Sequence, residues 1–267
     1  MNSDPLSHLA VERVRHPLKM RRLRVQGVQR LGANFLRVRL VGDELRDFIS
    51  ASFDDHAKLM LPPRPGAPLV LAEPGPDGPV WPAGAEKPVM RDYTPRAYDT
   101  AEGWLDIEFL LHGEGAASEW AARAQVGDEV GIGGPRGSFV VPTGFDWHLL
   151  VGDETALPAI ARRLEELPEG ARAMVVVETA DEADRRAFTG RASVEVRWVK
   201  AGTTDALARE VAALTLPAGE GFAWAAGEAA SIAAVRQALV GGHGLDKSRV
   251  RASAYWKRGS TGHHETL

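Results

Sequence analysis

The chain has 267 residues, 44% of them apolar and 25% charged, with a net charge of −4; that is enough for two domains with their own cores, and nucleic acid is not the expected partner. It contains no cysteine, which excludes disulfides, thiolate zinc sites and cysteine-ligated iron–sulfur clusters and leaves redox chemistry to an organic cofactor or to metal held by other ligands. No apolar run reaches the roughly 20 residues that span a bilayer, and the N-terminus lacks the apolar stretch of a secretory signal, so the expected compartment is the cytoplasm.

Residues 1–18 are polar and irregular and read as a flexible arm. The basic run from Arg13 to Arg24 reads as solvated, with an acidic partner or a membrane surface as the alternative. Leu23 and Val25, then Leu36, Val38 and Leu40, alternate with arginines, the period-two pattern of strands with one wet face. Lys58-Leu59-Met60-Leu61 reads as another strand. Residues 62–88 hold nine of the 17 prolines, and since proline has no ladder donor this stretch is a loop rather than a central strand. Strand signals return at 104–111, 129–132 and 138–141, with a short helix starting near Ala117-Ser118. The expectation over 19–145 is an antiparallel six-stranded barrel.

After Pro142 the pattern changes. Strands are expected at 147–151, 173–178, 194–199, 222–226 and 250–255, and helices at 157–167, 205–214 and 229–240. Strands alternating with helices predict a Rossmann-like parallel-sheet domain over 146–267, with its ligand beyond the carboxyl ends of the strands.

Three stretches carry candidate chemistry. In Arg91-Asp92-Tyr93-Thr94-Pro95-Arg96, an Arg can pair with a phosphate, a Tyr can pack on a flat ring and a Thr can hydrogen-bond a ring nitrogen; the bland alternative is an edge strand ending in a turn. In Leu111-His112-Gly113-Glu114-Gly115-Ala116-Ala117-Ser118, glycines after a strand and before a helix leave backbone N–H groups free for an anion, or else Ser118 simply caps the helix. Val151-Gly152-Asp153-Glu154-Thr155-Ala156 occupies the first strand-to-helix turn of the parallel sheet, where nucleotides bind, without the usual glycine-rich fingerprint; Thr155 as a helix cap is the plain account.

In this order, and joined by Phe222-Ala223-Trp224-Ala225-Ala226-Gly227-Glu228 and Ala254-Tyr255-Trp256-Lys257-Arg258-Gly259, these stretches resemble the siderophore-interacting protein family, a branch of the ferredoxin-reductase-like flavoproteins. The resemblance spans roughly residues 20–260. It implies an FAD-binding barrel followed by an NAD(P)H-binding domain with an active-site tail. It assigns Tyr93 and Thr94 to the flavin ring and Arg91 to the pyrophosphate. His112, Gly115, Ala117 and Ser118 complete the flavin site, while Asp153, Thr155, Ala156, Gly227 and Glu228 lie on the nucleotide side and Trp256 on the tail. It also implies a ferric siderophore as substrate, with Lys58, Arg136 and Lys257 as its cations. Two features stand apart. Lys257 replaces the family's Arg after the tryptophan, which keeps the charge but loses the bidentate fork. Glu178, at the end of the second strand of the parallel sheet, suits a ribose 2′-hydroxyl and hence NADH, whereas Arg185, Arg186 and Lys200 suit the 2′-phosphate of NADPH.

A nicotinamide gives two electrons as hydride and ferric iron accepts one, so a flavin is needed between them. Hydride transfer requires no acid–base side chain, and no catalytic proton donor is assigned; geometry carries the rate. The alternatives are a flavin reductase feeding a separate protein and a non-catalytic siderophore-binding protein. Ferredoxin is an alternative donor. No metal site is assigned; His263-His264 reads as part of a disordered tail, and Trp104, Trp120, Trp147 and Trp198 as packing.

Overall fold

The computed structural model describes residues 6–75, 78–112, 115–260 and 265–266. Gly113, Glu114 and the His263-His264 pair lie outside them. The chain forms two units, one of Glu12–Val140 and one of Val141–Leu267 together with Met1–Val11.

The Glu12–Val140 unit contains β1 (Glu12–Arg15), β2 (Met20–Arg30), β3 (Phe35–Val41), β4 (Ala57–Leu61), β5 (Glu73–Gly75), β6 (Gly78–Val80), β7 (Val89–Tyr93), β8 (Ala97–Asp99), β9 (Trp104–Leu110), α1 (Ala116–Arg123), β10 (Glu129–Gly133) and β11 (Gly137–Val140). Seven strands form one antiparallel sheet in the order β7-β4-β10-β2-β3-β9-β8. Alternation builds its core: Leu23, Val25, Val38, Leu40, Leu59, Ile107 and Phe109 all face one buried cluster, against which α1 sets Ala117, Trp120 and Ala121. The intervening arginines find cross-strand acids. Arg39 makes two 2.8 Å hydrogen bonds to Asp106, the residue opposite it, and lies 4.1 Å over the Trp104 ring.

Strands β7 and β8 are the two edges of this sheet, yet only Thr94, Pro95 and Arg96 separate them. Four Cα steps reach at most about 15 Å, so the sheet must curl until its edges nearly meet. That is the expected barrel, with seven strands in its main sheet instead of six: β7 and β8 are added, while β11, expected as one of the six, pairs with β1 outside that sheet. The proline-rich loop also holds a hairpin, β5–β6, which forms a separate two-stranded sheet and so needs no donors from a central ladder.

The arm expected over residues 1–18 is structured where it is described. Ser7–Leu9 form a 3₁₀ turn with Leu9 buried, and β1 pairs with β11. Backbone pairing, with Ser138 hydrogen-bonded to His16, Asp55 and the Ala51 N–H, outweighs the polar composition that suggested disorder.

The second unit contains β12 (Trp147–Gly152), α2 (Leu157–Glu166), β13 (Arg172–Thr179), β14 (Ser193–Lys200), α3 (Ala206–Ala212), β15 (Gly221–Glu228), α4 (Ala229–Gln237), β16 (Val250–Trp256) and β17 (Glu265–Thr266). The sheet order is β14-β13-β12-β15-β16-β17, parallel except for the last pair. Strands β12 and β15 are buried at every residue, which is why they read as unbroken apolar runs. From β12 the order runs one way to β13 and β14 and the other way to β15 and β16, placing a topological switch point between the carboxyl ends of β12 and β15. Among the described residues no helix is long and apolar enough to cross a membrane.

Candidate functional site

The flavin residues expected in the barrel sit at the seam where its edges approach. On β7, Arg91 lies opposite Leu59 and Tyr93 opposite Ala57. The Tyr93 ring packs 4.6 Å from that of Phe109, and burial pushes its hydroxyl pKa well above the ordinary value. Thr94 is 8% exposed. Arg91 is half-buried, and its one side-chain hydrogen bond among the described residues goes to the Met90 carbonyl, 2.8 Å away. Its guanidinium therefore pairs with no carboxylate there, which fits a group kept for a phosphate. Asp92 is taken by Lys58 at 2.7 Å.

The second stretch folds as a turn into α1. Gly115 precedes the helix with φ of 105°, and among the described residues no side chain caps the helix N-terminus, an arrangement that suits an anion at its first N–H groups. Ser118 is not the cap. It is buried inside the first turn, and its hydroxyl accepts the His112 N–H at 3.2 Å. The His112 side chain is exposed.

In the second unit, the β12 turn is organised by Asp153 instead of Thr155. Its carboxylate accepts the Thr155 N–H at 2.9 Å, the Thr155 hydroxyl at 2.5 Å, the Glu228 N–H at 2.8 Å and the Trp256 indole N–H at 2.8 Å. These bonds tie the ends of β12, β15 and β16 together. Burial pushes the Asp153 carboxyl pKa up, against the pull of the same bonds. Gly227 has φ of 149°, and a Cβ there would stand 2.5 Å from Asp153 Oδ2, so only glycine lets β15 pass the carboxylate. Glu228 caps α4, accepting the N–H groups of Ala230 and Ser231. Ala156 is fully buried and belongs to the packing under the turn.

Glu178 is the next-to-last residue of β13, beside this turn. Its pKa is pushed up to about 7, first by burial and then by the Asp153 and Glu154 charges, with Arg258 opposing. Its Oε2 has no hydrogen-bond partner among the described residues. A carboxyl raised in the folded state from its ordinary 4.5 binds its proton more tightly there than in the unfolded chain. Stability then falls as pH rises through the window from 4.5 to about 7. Glu178→Gln should melt higher than the parent at pH 8 and level with it at pH 5; the same difference at both pH values would show that Glu178 is not held this way.

Of the cations that suit a 2′-phosphate, Arg185 is ion-paired with Glu182 at 3.1 Å, and Lys200, opposite Thr179 at the end of β14, is exposed. Of the proposed substrate cations, Lys58 and Arg136 are exposed in the barrel unit and Lys257 is exposed in the other. The tryptophans expected to pack do so. Trp120 and Trp147 are buried, Trp104 lies under Arg39, and Trp198 stacks on Phe188. Trp256 is 37% exposed. Sequence reasoning passed over the bonding role of Asp153; two of its four donors lie on Thr155, but those of Glu228 and Trp256 come from distant strands and leave no local pattern.

Residues 24–139 match the model of the siderophore-interacting FAD-binding domain, and residues 145–259 match that of the siderophore-interacting protein. The chain is 38% identical, over 92% of its length and 96% of the relative's, to the NADPH-dependent ferric-chelate reductase of Escherichia coli. It is 34% identical to the ferric vibriobactin reductase ViuB of Vibrio cholerae, over 85% of both chains. A siderophore utilization protein from T. fusca superposes with a TM-score of 0.86 at 36% identity, covering 95% of this chain and 98% of that one.

Proposed function

The chain belongs to the siderophore-interacting protein family, and from that premise we propose that it is an FAD-dependent reductase that takes hydride from NADPH and delivers electrons to ferric siderophores. The observation that carries this reading is the near-complete match to a relative named as an NADPH-dependent ferric-chelate reductase. The residues present fit the cofactor: a buried aromatic and hydroxyl at Tyr93 and Thr94 and, among the described residues, an arginine with no carboxylate partner at Arg91 and a helix N-terminus without a side-chain cap at α1.

The flavin, when bound, converts a two-electron donor into a one-electron supply. The protein's part is to bind and orient. Tyr93 and Thr94 seat the ring, and Arg91 with the α1 N-terminus neutralises the pyrophosphate. The Asp153 turn and Gly227-Glu228 frame the nicotinamide nucleotide at the switch point. Lys58, Arg136 and Lys257 are each proposed as a cation for the chelate. The network on Asp153 fixes Trp256, so the tail keeps its place without a general acid or base.

The purified protein should be yellow, and NADPH should bleach it under anaerobic conditions. A ferric siderophore should then restore the colour while a ferrous-specific chelator traps the iron. A colourless protein that takes up no FAD, or a flavin that NADPH cannot reduce at millimolar concentration, would overturn the reading. NADH and a reduced ferredoxin, substituted for NADPH in the same assay, rank the donors.

A further inference from the structure

The carboxyl edge of the parallel sheet is short of backbone donors. Between β12 and α2, the Thr155 N–H goes to the Asp153 carboxylate at 2.9 Å, the Ala156 N–H to the Asp153 carbonyl at 3.0 Å and the Leu157 N–H to the Glu154 carbonyl. Pro158, the second residue of α2, has no N–H to give. The neighbouring strand ends are closed in the same way. Ala180, just past β13, gives its N–H to the Glu154 carboxylate at 2.7 Å, and Thr179 gives the same oxygen its hydroxyl. The Glu228 N–H goes to Asp153 at 2.8 Å, and the Ala230 and Ser231 N–H groups that open α4 go to Glu228 at 2.8 and 3.0 Å.

The glycines of this edge face the chain itself. A Cβ on Gly152 would stand 2.4 Å from the Ala156 Cβ and 2.5 Å from the Ala226 carbonyl oxygen, and Gly227 faces Asp153. In a dinucleotide-binding sheet a pyrophosphate occupies these positions, against glycine backbone and free N–H groups at a helix N-terminus. Here the carboxylates of Asp153, Glu154 and Glu228 hold the donors from within, and a phosphate brought to the same place meets like charge. Among the unit's cations, Arg258 acts on Glu178 and lends its N–H to Glu228 at 3.3 Å, and Arg185 is paired with Glu182.

We propose that the donor is recognised through its nicotinamide riboside half, and that dihydronicotinamide riboside, which carries no phosphate, serves this protein about as well as NADPH. The inference rests on the reductase reading and widens its donor class. The chemistry balances as it does for the dinucleotide: the hydride, with both electrons, leaves C4 of the ring for the flavin, and the riboside departs in its oxidised pyridinium form. What the riboside lacks is the part of the dinucleotide for which this edge has kept no backbone donor.

The test uses the FAD-loaded protein without oxygen and follows bleaching of the flavin, with free FAD run in parallel to set the uncatalysed rate. The riboside should reduce the bound flavin with a second-order rate constant within about threefold of that of NADPH, since no charge-assisted hydrogen bond is lost. A pyrophosphate held by even one such bond would leave the riboside about tenfold worse or more. Glu154→Gln keeps an oxygen for the Ala180 N–H and the Thr179 hydroxyl but drops the charge. NADPH should then gain about threefold, the scale of one exposed charge interaction, while the riboside stays level. A riboside more than about tenfold below NADPH, or no gain for NADPH in Glu154→Gln, overturns the inference. A flavin that neither donor bleaches overturns the reductase reading instead.

Discussion

Arg91→Ala is expected to purify with little or no flavin. Truncating one partner of a charge-assisted contact costs on the order of 2–5 kcal/mol, which weakens FAD binding by roughly 30-fold to several thousand-fold. The structure sharpens the expectation. Arg91 lends one hydrogen bond to its neighbour's carbonyl and pairs with no acid among the described residues, so its removal strands no buried carboxylate and should leave the barrel folded. The check is FAD per chain by absorbance, with circular dichroism for the fold. Full occupancy in Arg91→Ala would mean that the pyrophosphate is held elsewhere. Arg91→Lys should recover part of the loss, since the charge returns without the fork.

The second large effect is on acid stability. His148 is the second residue of β12 and is 1% exposed. Its pKa is lowered to about 4, first by burial and then by the nearby Arg163 charge, with a backbone hydrogen bond to Thr143 opposing. The unfolded chain, at an ordinary 6.5, binds this proton first. Stability should therefore fall as pH drops from 6.5 towards 4, by about 3 kcal/mol for this group alone. Urea unfolding of the parent and of His148→Gln at pH 7.5 and pH 4.5 isolates it from the other acids. The parent should lose more stability than the variant on acidification, and equal losses would show that the histidine is not held neutral by its surroundings.

Much of the fold was legible because its long elements are strictly periodic. The arginine alternation of β2 and β3 and the apolar runs of β12 and β15 each encode their burial directly. Three strands were less legible, Val89–Tyr93 only as the plain edge-strand alternative. Val89–Tyr93 and Ala97–Asp99 are made by their partners β4 and β9, and β1 by β11, so their signal lies in other parts of the chain. The site divided in the same way. Arg91, Tyr93 and Thr94 stood out as a closely spaced set within one six-residue stretch, and their place at the flavin is a proposal. The linking role of Asp153 depends on Glu228 and Trp256, which are 75 and 103 residues away, and the pairing of β1 with β11 was hidden by reading its segment as a loose arm.

With FAD on Tyr93 and Thr94 as proposed, the three residues that join β7 to β8 also make cofactor loading a folding variable. A ligand seated on Tyr93 and Thr94 lies across the joint that closes the sheet, and it can be held only while that joint is shut. Occupancy and closure are then coupled by mass action. Melting of the barrel should shift upward with added FAD even beyond stoichiometric amounts, while the unit built on β12 should respond to nicotinamide nucleotide. Titrating each ligand separately would thus report on the two halves of the chain in turn.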